Sequence, residues 1–307
     1  MDAALLGTGG MMPMPERLTT SVLVRSEGRM LLFDAGEGIQ LALKRGGLGI
    51  RGLAAIAVSH LHADHVLGIP GILMFRAQAD DPGPLAIVGP PGLERFVRHT
   101  LEDLRYRLNF ELSFVEWSEG APLALEWAGH SLFWEPLDHS TFCLGYRLEE
   151  ATRPGKFNPD AAAALGVPPG PLRGTLQAGE GVTLADGRRV EPGEVLGPPR
   201  RGRVLSFATD TRPCAGLARA LRNADLAFVE GMFASRHAAE AAEKKHMTAL
   251  ESATAAAEAG VSRLVLVHIS PRYRLDEEPL LAEEASAAFP GVEVGKALET
   301  YAVPLPD

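Results

Sequence analysis

The chain has 307 residues, of which 46% are hydrophobic and 22% charged, with a formal net charge of −9. That length buries one large core or two modest ones, and the proportions are those of an ordinary globular protein. The acidic balance argues against indiscriminate nucleic-acid binding, and no apolar run reaches the length of a membrane span, so a soluble chain is expected. Cys143 and Cys214 are the only cysteines and lie far apart. They make neither a thiolate zinc cluster nor a disulfide framework, and a reducing cytoplasm is the expected setting. Residues 1–10 run straight into strand-like sequence without a basic segment and long apolar core, which argues against a secretory signal.

Residues 3–6 read as a short apolar strand, turned sharply by Gly7-Thr8-Gly9-Gly10. This glycine cluster lacks the downstream Gly-Lys-Ser/Thr of a phosphate loop, so turn chemistry accounts for it better. Residues 20–24 and 30–33 read as a hairpin bent at Glu27-Gly28. Asp34 closes the second strand, either as a helix cap, the commoner role, or as a support for a neighbouring ligand. Residues 39–45 have helical spacing and stop at Gly46-Gly47.

The apolar run 54–58 then opens into His60-Leu61-His62-Ala63-Asp64-His65. Within six residues this loop presents three imidazoles and one carboxylate, the ligands that zinc, manganese and iron take from proteins. Burying so many ionisable groups at a strand end costs free energy unless a cation compensates them. A solvated histidine-rich loop is the bland alternative; the tight spacing and the apolar anchor disfavour it.

Beyond the loop, 68–79 reads as a helix with Pro70 in its first turn, 85–88 as a strand, and 93–108 as an amphipathic helix bearing His99 on its surface. Residues 110–117 and 123–127 alternate as half-buried strands do. The strand 131–137 stops at Asp138-His139-Ser140, and 142–148 is another strand. From 151 to 203 the composition changes: prolines and glycines make up about a third of the residues, and eight basic residues face five acidic ones. Only 160–165 looks helical there, and 181–190 suits a small hairpin. An inserted arm of a single domain spanning 1–307 fits this stretch better than a second domain, with a disordered linker as the alternative. The core pattern then resumes. Strands 204–209, 226–229 and 264–267 end at Asp210, Glu230 and His268, a helix spans 248–259, and a helix at 279–288 precedes a strand at 293–295.

Apolar strands therefore end five times in a ligand or an acid: His60, His139, Asp210, Glu230 and His268. Like ends of neighbouring strands converge on one edge of a sheet, so residues distant in sequence meet there. His130 and His237 lack this placement and are read as ordinary interior or surface histidines.

At this point the sequence resembles the metallo-β-lactamase superfamily, and more closely its ribonuclease Z branch. The resemblance rests on Leu6-Gly7-Thr8-Gly9, on the loop Ser59–His65 followed by Gly68-Ile69-Pro70-Gly71, on Phe207-Ala208-Thr209-Asp210-Thr211-Arg212, on His246-Met247-Thr248 and on Val267-His268-Ile269-Ser270. Pro168-Pro169-Gly170-Pro171 resembles the glycine- and proline-rich arm with which that branch grips transfer RNA. The resemblance implies an α/β fold, a four-layer αβ/βα sandwich with the arm protruding from it. It implies two zinc ions, one held by His60, His62 and His139, the other by Asp64, His65 and His268, with Asp210 bridging. It assigns Asp64 to the attacking water, His246 to the departing oxygen and Glu230 to the His246 ring. It further implies removal of the 3′ trailer from precursor tRNA by a homodimer in which one subunit's 151–203 arm holds RNA for its partner. Two segments depart from the branch: Val229-Glu230-Gly231-Met232 stands for His-Glu-Ala-Thr, and Pro13-Met14-Pro15-Glu16-Arg17-Leu18 stands for Pro-x-Lys-x-Arg-Asn, the loop with which the branch senses the tRNA 3′ end. A small phosphodiester such as a cyclic nucleotide is the alternative substrate, and a non-catalytic binding protein the alternative class.

Overall fold

The computed structural model describes residues 1–121 and 123–306. The chain divides into two compact units, 1–149 with 204–304, and 150–203 with the C-terminal residues from 305.

The larger unit opens with β1 (Asp2–Gly7), β2 (Ser21–Ser26), β3 (Arg29–Phe33), α1 (Ile39–Arg45), β4 (Leu53–Ala57), α2 (Ala63–Val66), α3 (Ile69–Arg76), β5 (Leu85–Gly89), α4 (Leu93–Asp103) and β6 (Leu112–Glu116). β7 (Leu123–Trp127), β8 (His130–Leu137) and β9 (Cys143–Glu150) follow. The smaller unit contains α5 (Pro159–Ala164), α6 (Pro171–Gln177), β10 (Val182–Thr183) and β11 (Arg189–Val190). The larger one resumes with β12 (Val204–Ala208), α7 (Ala215–Leu221), β13 (Leu226–Glu230), α8 (Ala238–Glu243), α9 (Ala249–Glu258), β14 (Leu264–Val267), α10 (Pro279–Ser286), β15 (Glu293–Val294) and β16 (Thr300–Ala302).

Two seven-stranded sheets result, ordered β16-β1-β2-β3-β4-β5-β6 and β15-β14-β13-β12-β9-β8-β7. Side chains alternate across each strand, so every buried strand feeds two cores. Val22, Val24, Leu31 and Phe33 of the first sheet meet Leu144, Tyr146, Leu205 and Phe207 of the second in the central core. Phe33 and Phe207 stack there with centroids 5.2 Å apart. The other parity, Leu23, Leu32 and Ile56, packs under Ile39, Leu43, Ile72 and Val97 of the helices on the first sheet. Val204, Ala208, Val229 and Leu266 pack under Leu217, Leu221, Ala253, Ala256 and Leu281 on the second. The layers are helices, sheet, sheet, helices: the expected four-layer sandwich.

Several elements escape the periodicity of the sequence. α7 is seven residues long and rich in small residues; its N-cap is Cys214, whose sulfur accepts from Leu217 N. β16 pairs with β1 across the whole length of the chain. The helix expected over 93–108 ends at Asp103, because Arg105 takes a left-handed φ of +50°. In the smaller unit, proline and glycine do not prevent a core. Ala162, Val167, Leu176, Val182, Leu184, Val190 and Val195 are buried together, and Pro171, at the start of the unexpected α6, occupies a position where its missing N–H costs nothing.

Arg76, at the end of α3, is only 1% exposed. It donates to the carbonyls of Ile50 (3.1 Å) and Pro84 (3.2 Å), and to that of Pro82, while its guanidinium lies over the Phe110 ring. Arg76→Met should leave those carbonyls unsatisfied and destabilise the fold by about 3 kcal/mol, read as a lower urea midpoint at unchanged slope.

Candidate metal centre

The site forms where strands of both sheets end at one edge of the sandwich. β4 runs out through Val58 and Ser59 to His60, and the short α2 turns Asp64 and His65 back beside it. β8 delivers His139, β12 delivers Asp210, β13 ends on Glu230 itself, and β14 delivers His268. Asp34, Asp210 and His268 each stand just past the end of a strand with φ of +53°, +58° and +55°. A left-handed backbone in a non-glycine residue costs on the order of 1–3 kcal/mol and clusters at functional sites. Three such turns aim three side chains inward.

Asp210 lies at the middle. Its Oδ1 faces His60 Nε2 at 3.9 Å and His139 Nε2 at 3.8 Å; its Oδ2 faces His65 Nε2 at 3.4 Å and His268 Nε2 at 3.2 Å. Asp64 Oδ2 lies 3.3 Å from His65 Nε2 and 3.4 Å from His268 Nε2. His62, the most exposed member, places its ring 4.5 Å from that of His60 and 5.2 Å from that of His139. Within each of the trios His60–His62–His139, His60–His65–Asp210 and Asp64–His65–His268, the ligand atoms lie within 4.8 Å of one another. All seven residues singled out as ligands in the sequence meet here.

The outward-facing nitrogens are fixed by what holds the opposite ring edge. His139 Nδ1 sits 3.0 Å from the Lys245 carbonyl, which only accepts, so Nδ1 carries the proton and Nε2 the lone pair. His65 Nδ1 lies 2.7 Å from Asp34 Oδ2, and His60 Nδ1 lies 3.0 Å from Ser59 Oγ. Ser59 spends its single proton on Asp34 Oδ2 (2.8 Å) and so accepts from His60. Asp34 is therefore a support for the ligands and caps no helix; α1 begins after Gly38. Such partners orient metal-binding imidazoles and raise their basicity.

What remains is a set of buried atoms with no hydrogen bond. Nε2 of His60, His65 and His268 and Oδ2 of Asp210 are buried without a partner among the described residues. Buried polar atoms are rarely left so, and one that can ligate is satisfied by a cation. Burial raises the Asp64 carboxyl, but the imidazoles of His268 and His65 facing it outweigh this and hold the group far below the usual carboxylate range. Asp210 is likewise raised by burial and held far below that range by the charges of His268, His65 and His60. Burial lowers His60 and His139. It also opposes the charge on His65, where Asp210 and then Asp34 prevail and raise the pKa. Two permanent carboxylates among imidazole nitrogens form a donor set suited to divalent zinc, manganese or iron.

Glu230 and His246 flank this cluster. His246 Nδ1 is 3.0 Å from Glu230 Oε2, and the His246 ring lies 5.1 Å from that of His139 and 5.6 Å from that of His268. Burial lowers its pKa, but the Glu230 carboxylate, and behind it Asp210, push it up to about 9. His130 and His237 lie apart, bonded to the Ala128 carbonyl and the Tyr273 hydroxyl. The glycine turn near the N-terminus is more than a turn: a Cβ on Gly10 would stand 2.7 Å from the His268 ring. The next amide, Met11 N–H, donates to Asp64 Oδ2 at 2.7 Å. Backbone contacts of this kind have no signal in residue type, and neither did Ser59 beyond its position before His60.

Residues 1–106 match a family model described as anti-Pycsar protein Apyc1, and residues 176–269 match one described as a β-lactamase superfamily domain. Over nearly its whole length the chain is similar to ribonuclease Z of Treponema denticola, at 44% identity over 96% of both chains. It is also similar to that of Salinibacter ruber, at 42% identity over 98% of this chain and 94% of the relative. Among solved structures, the short form of human tRNase Z shares the fold with a TM-score of 0.69 at 23% identity, over 99% of this chain and 100% of that one.

Asp34→Asn keeps the shape of the His65 support but removes its charge. It should weaken metal binding by about 10–100-fold with the unfolding midpoint nearly unchanged, as read by competition with a chromophoric chelator.

Proposed function

The chain belongs to the ribonuclease Z family, and on that premise we propose that it is an endoribonuclease that removes the 3′ trailer from precursor tRNA at a two-zinc centre. The observation that carries this reading is the division of labour at Asp210, whose two oxygens face separate sets of imidazole nitrogens. On this reading His60, His62 and His139 would hold one zinc and Asp64, His65 and His268 the other, with Asp210, whose two oxygens face the two sets, available to both. Two such cations supply a clamp for the phosphate and a water acidic enough to attack at neutral pH.

The chain's own groups supply the rest. Asp64 would orient the attacking water or take its proton. His246, charged at neutral pH beside Glu230, donates a proton from Nε2 to the departing ribose oxygen. Glu230 also accepts from Met247 N (3.1 Å) and Thr211 N (2.6 Å), so its carboxylate is fixed before it fixes the ring. Its flanking Gly231 and Met232 do not disturb this pair. We place the protein in the cytoplasm as a homodimer; no helix among the described residues is long and apolar enough to cross a membrane.

The unit 150–203 is assigned to the body of the RNA. Arg173 and Arg200 donate to the carbonyls of Val167 and Pro154, contacts that leave their positive charge uncompensated. Arg188 and Arg189 pair with Asp186 and Glu191 at exposed sites where such pairs are weak. One observation favours the second reading, a small phosphodiester. Arg17, in the loop expected to sense the RNA end, is buried and bonded to the Ser270 and Tyr273 carbonyls and to Glu278, so its guanidinium serves the fold.

His246→Ala should retain metal while turnover of precursor tRNA falls by about 10²–10⁴-fold; metal loss in that variant would make His246 a ligand. Deleting 156–194 should weaken binding and cleavage of precursor tRNA, and flatten their salt dependence, while hydrolysis of a small phosphodiester stays near the wild-type rate. Unchanged tRNA cleavage would remove the unit from substrate binding and favour the small substrate.

A further inference from the structure

Among the described residues no hydrogen bond or ion pair joins the Arg212 guanidinium to the seven clustered residues, although Arg212 stands two residues from Asp210. Its guanidinium donates to the backbone carbonyl of His246 and, in a two-pronged pair, to the carboxylate of Glu251, one prong at 3.0 Å. Glu251 is itself anchored, since it closes the capping box of α9 with Thr248, whose N–H it accepts at 2.8 Å. The Arg212 backbone is fixed as well, its N–H donating to the Asp138 carbonyl at 2.9 Å. His246 precedes Thr248, the N-cap of this helix, by two residues. Without Arg212, the ring would keep Glu230, and the main chain its His246 N–H bond to the Ala241 carbonyl (2.8 Å) and its Met247 N–H bond to Glu230 (3.1 Å), but the His246 carbonyl would lose its guanidinium donor. A bidentate guanidinium is a rigid, planar brace, and lysine cannot reproduce it.

We propose that Arg212 is the positioning residue for His246, bracing its main chain so that Nε2 meets the departing oxygen of the phosphodiester. The inference rests on His246 acting as the proton donor. In that step the water gives up a proton, to Asp64 or to solvent, as its oxygen forms the new P–O bond, the bond to the departing oxygen breaks, and its electron pair takes the Nε2 proton. The need for the proton grows with the basicity of the leaving oxygen: a ribose alkoxide requires it and a 4-nitrophenolate does not. Arg212 therefore matters only where His246 matters.

The test compares the wild type with Arg212→Gln, Arg212→Lys, His246→Ala and the Arg212→Gln/His246→Ala double variant. The substrates are precursor tRNA, a dinucleoside monophosphate and bis(4-nitrophenyl) phosphate; metal content and melting temperature are measured on each protein. Arg212→Gln should lower kcat on the alkoxide-leaving substrates by about 10–100-fold, with KM, metal content and the 4-nitrophenyl rate within about twofold of wild type. Arg212→Lys should recover part of the loss, and the double variant should be no slower than His246→Ala, as expected for residues acting as one unit. Equal losses on alkoxide and nitrophenolate substrates, loss of metal, or losses that multiply in the double variant would overturn the proposal. A wild type that cleaves the dinucleoside but ignores precursor tRNA would overturn the substrate assignment and leave this comparison intact.

Discussion

A buried carboxylate surrounded by imidazoles is the constraint from which the rest of the architecture follows. Asp210 is 2% exposed and Asp64, His60, His65 and His268 crowd around it, with several ligating atoms left without hydrogen bonds. An isolated ionised carboxylate in such a place is costly enough that proteins pair it or give it a metal. The sandwich provides the means. Its central core brings strand ends of both sheets to one edge, and left-handed turns at Asp34, Asp210 and His268 point their side chains into the same volume. Phe33, Tyr146 and Phe207 pack together in the core from which the strands leading to Asp34 and Asp210 emerge.

Around the ligands stands a layer of groups whose work is orientation. Ser59 and Asp34 set the His60 and His65 rings, the Lys245 carbonyl sets His139, and Thr20 Oγ1 accepts the His268 N–H. The segment 245–246 serves both sides: its first carbonyl steadies His139, and its second residue offers an imidazole beside the cluster. His139 and His246 are thereby held at a fixed spacing by one short piece of backbone. This is a physical reason for the His-Met-Thr and Thr-Arg segments to occur together in one chain.

Much of this was legible in the sequence, and the reason is local. A strand has period two and a residue able to ligate at its end is conspicuous, so His60, His139, Asp210, Glu230 and His268 stood out, while the four-layer order came from the family resemblance. Asp34 was ambiguous because a helix follows within a few residues, and only the folded chain reveals that its partners are Ser59 and His65. α7 was missed because seven residues, four of them alanine or glycine, carry little periodicity. β16 was missed because its pairing partner lies at the other end of the chain. The core of the unit 150–203 was missed for a further reason: proline and glycine were read as breakers where they serve as helix starts and turns around Leu176 and Val182.

The central claim is that the unpartnered atoms around Asp210 are the two halves of one metal centre that hydrolyses RNA. Zinc titration into chelator-stripped protein, followed at once by calorimetry and by cleavage of precursor tRNA, tests it most directly. The account predicts two equivalents bound per chain, with cleavage appearing only as the second is taken up. Full cleavage by the stripped protein, or saturation without any cleavage, would contradict it.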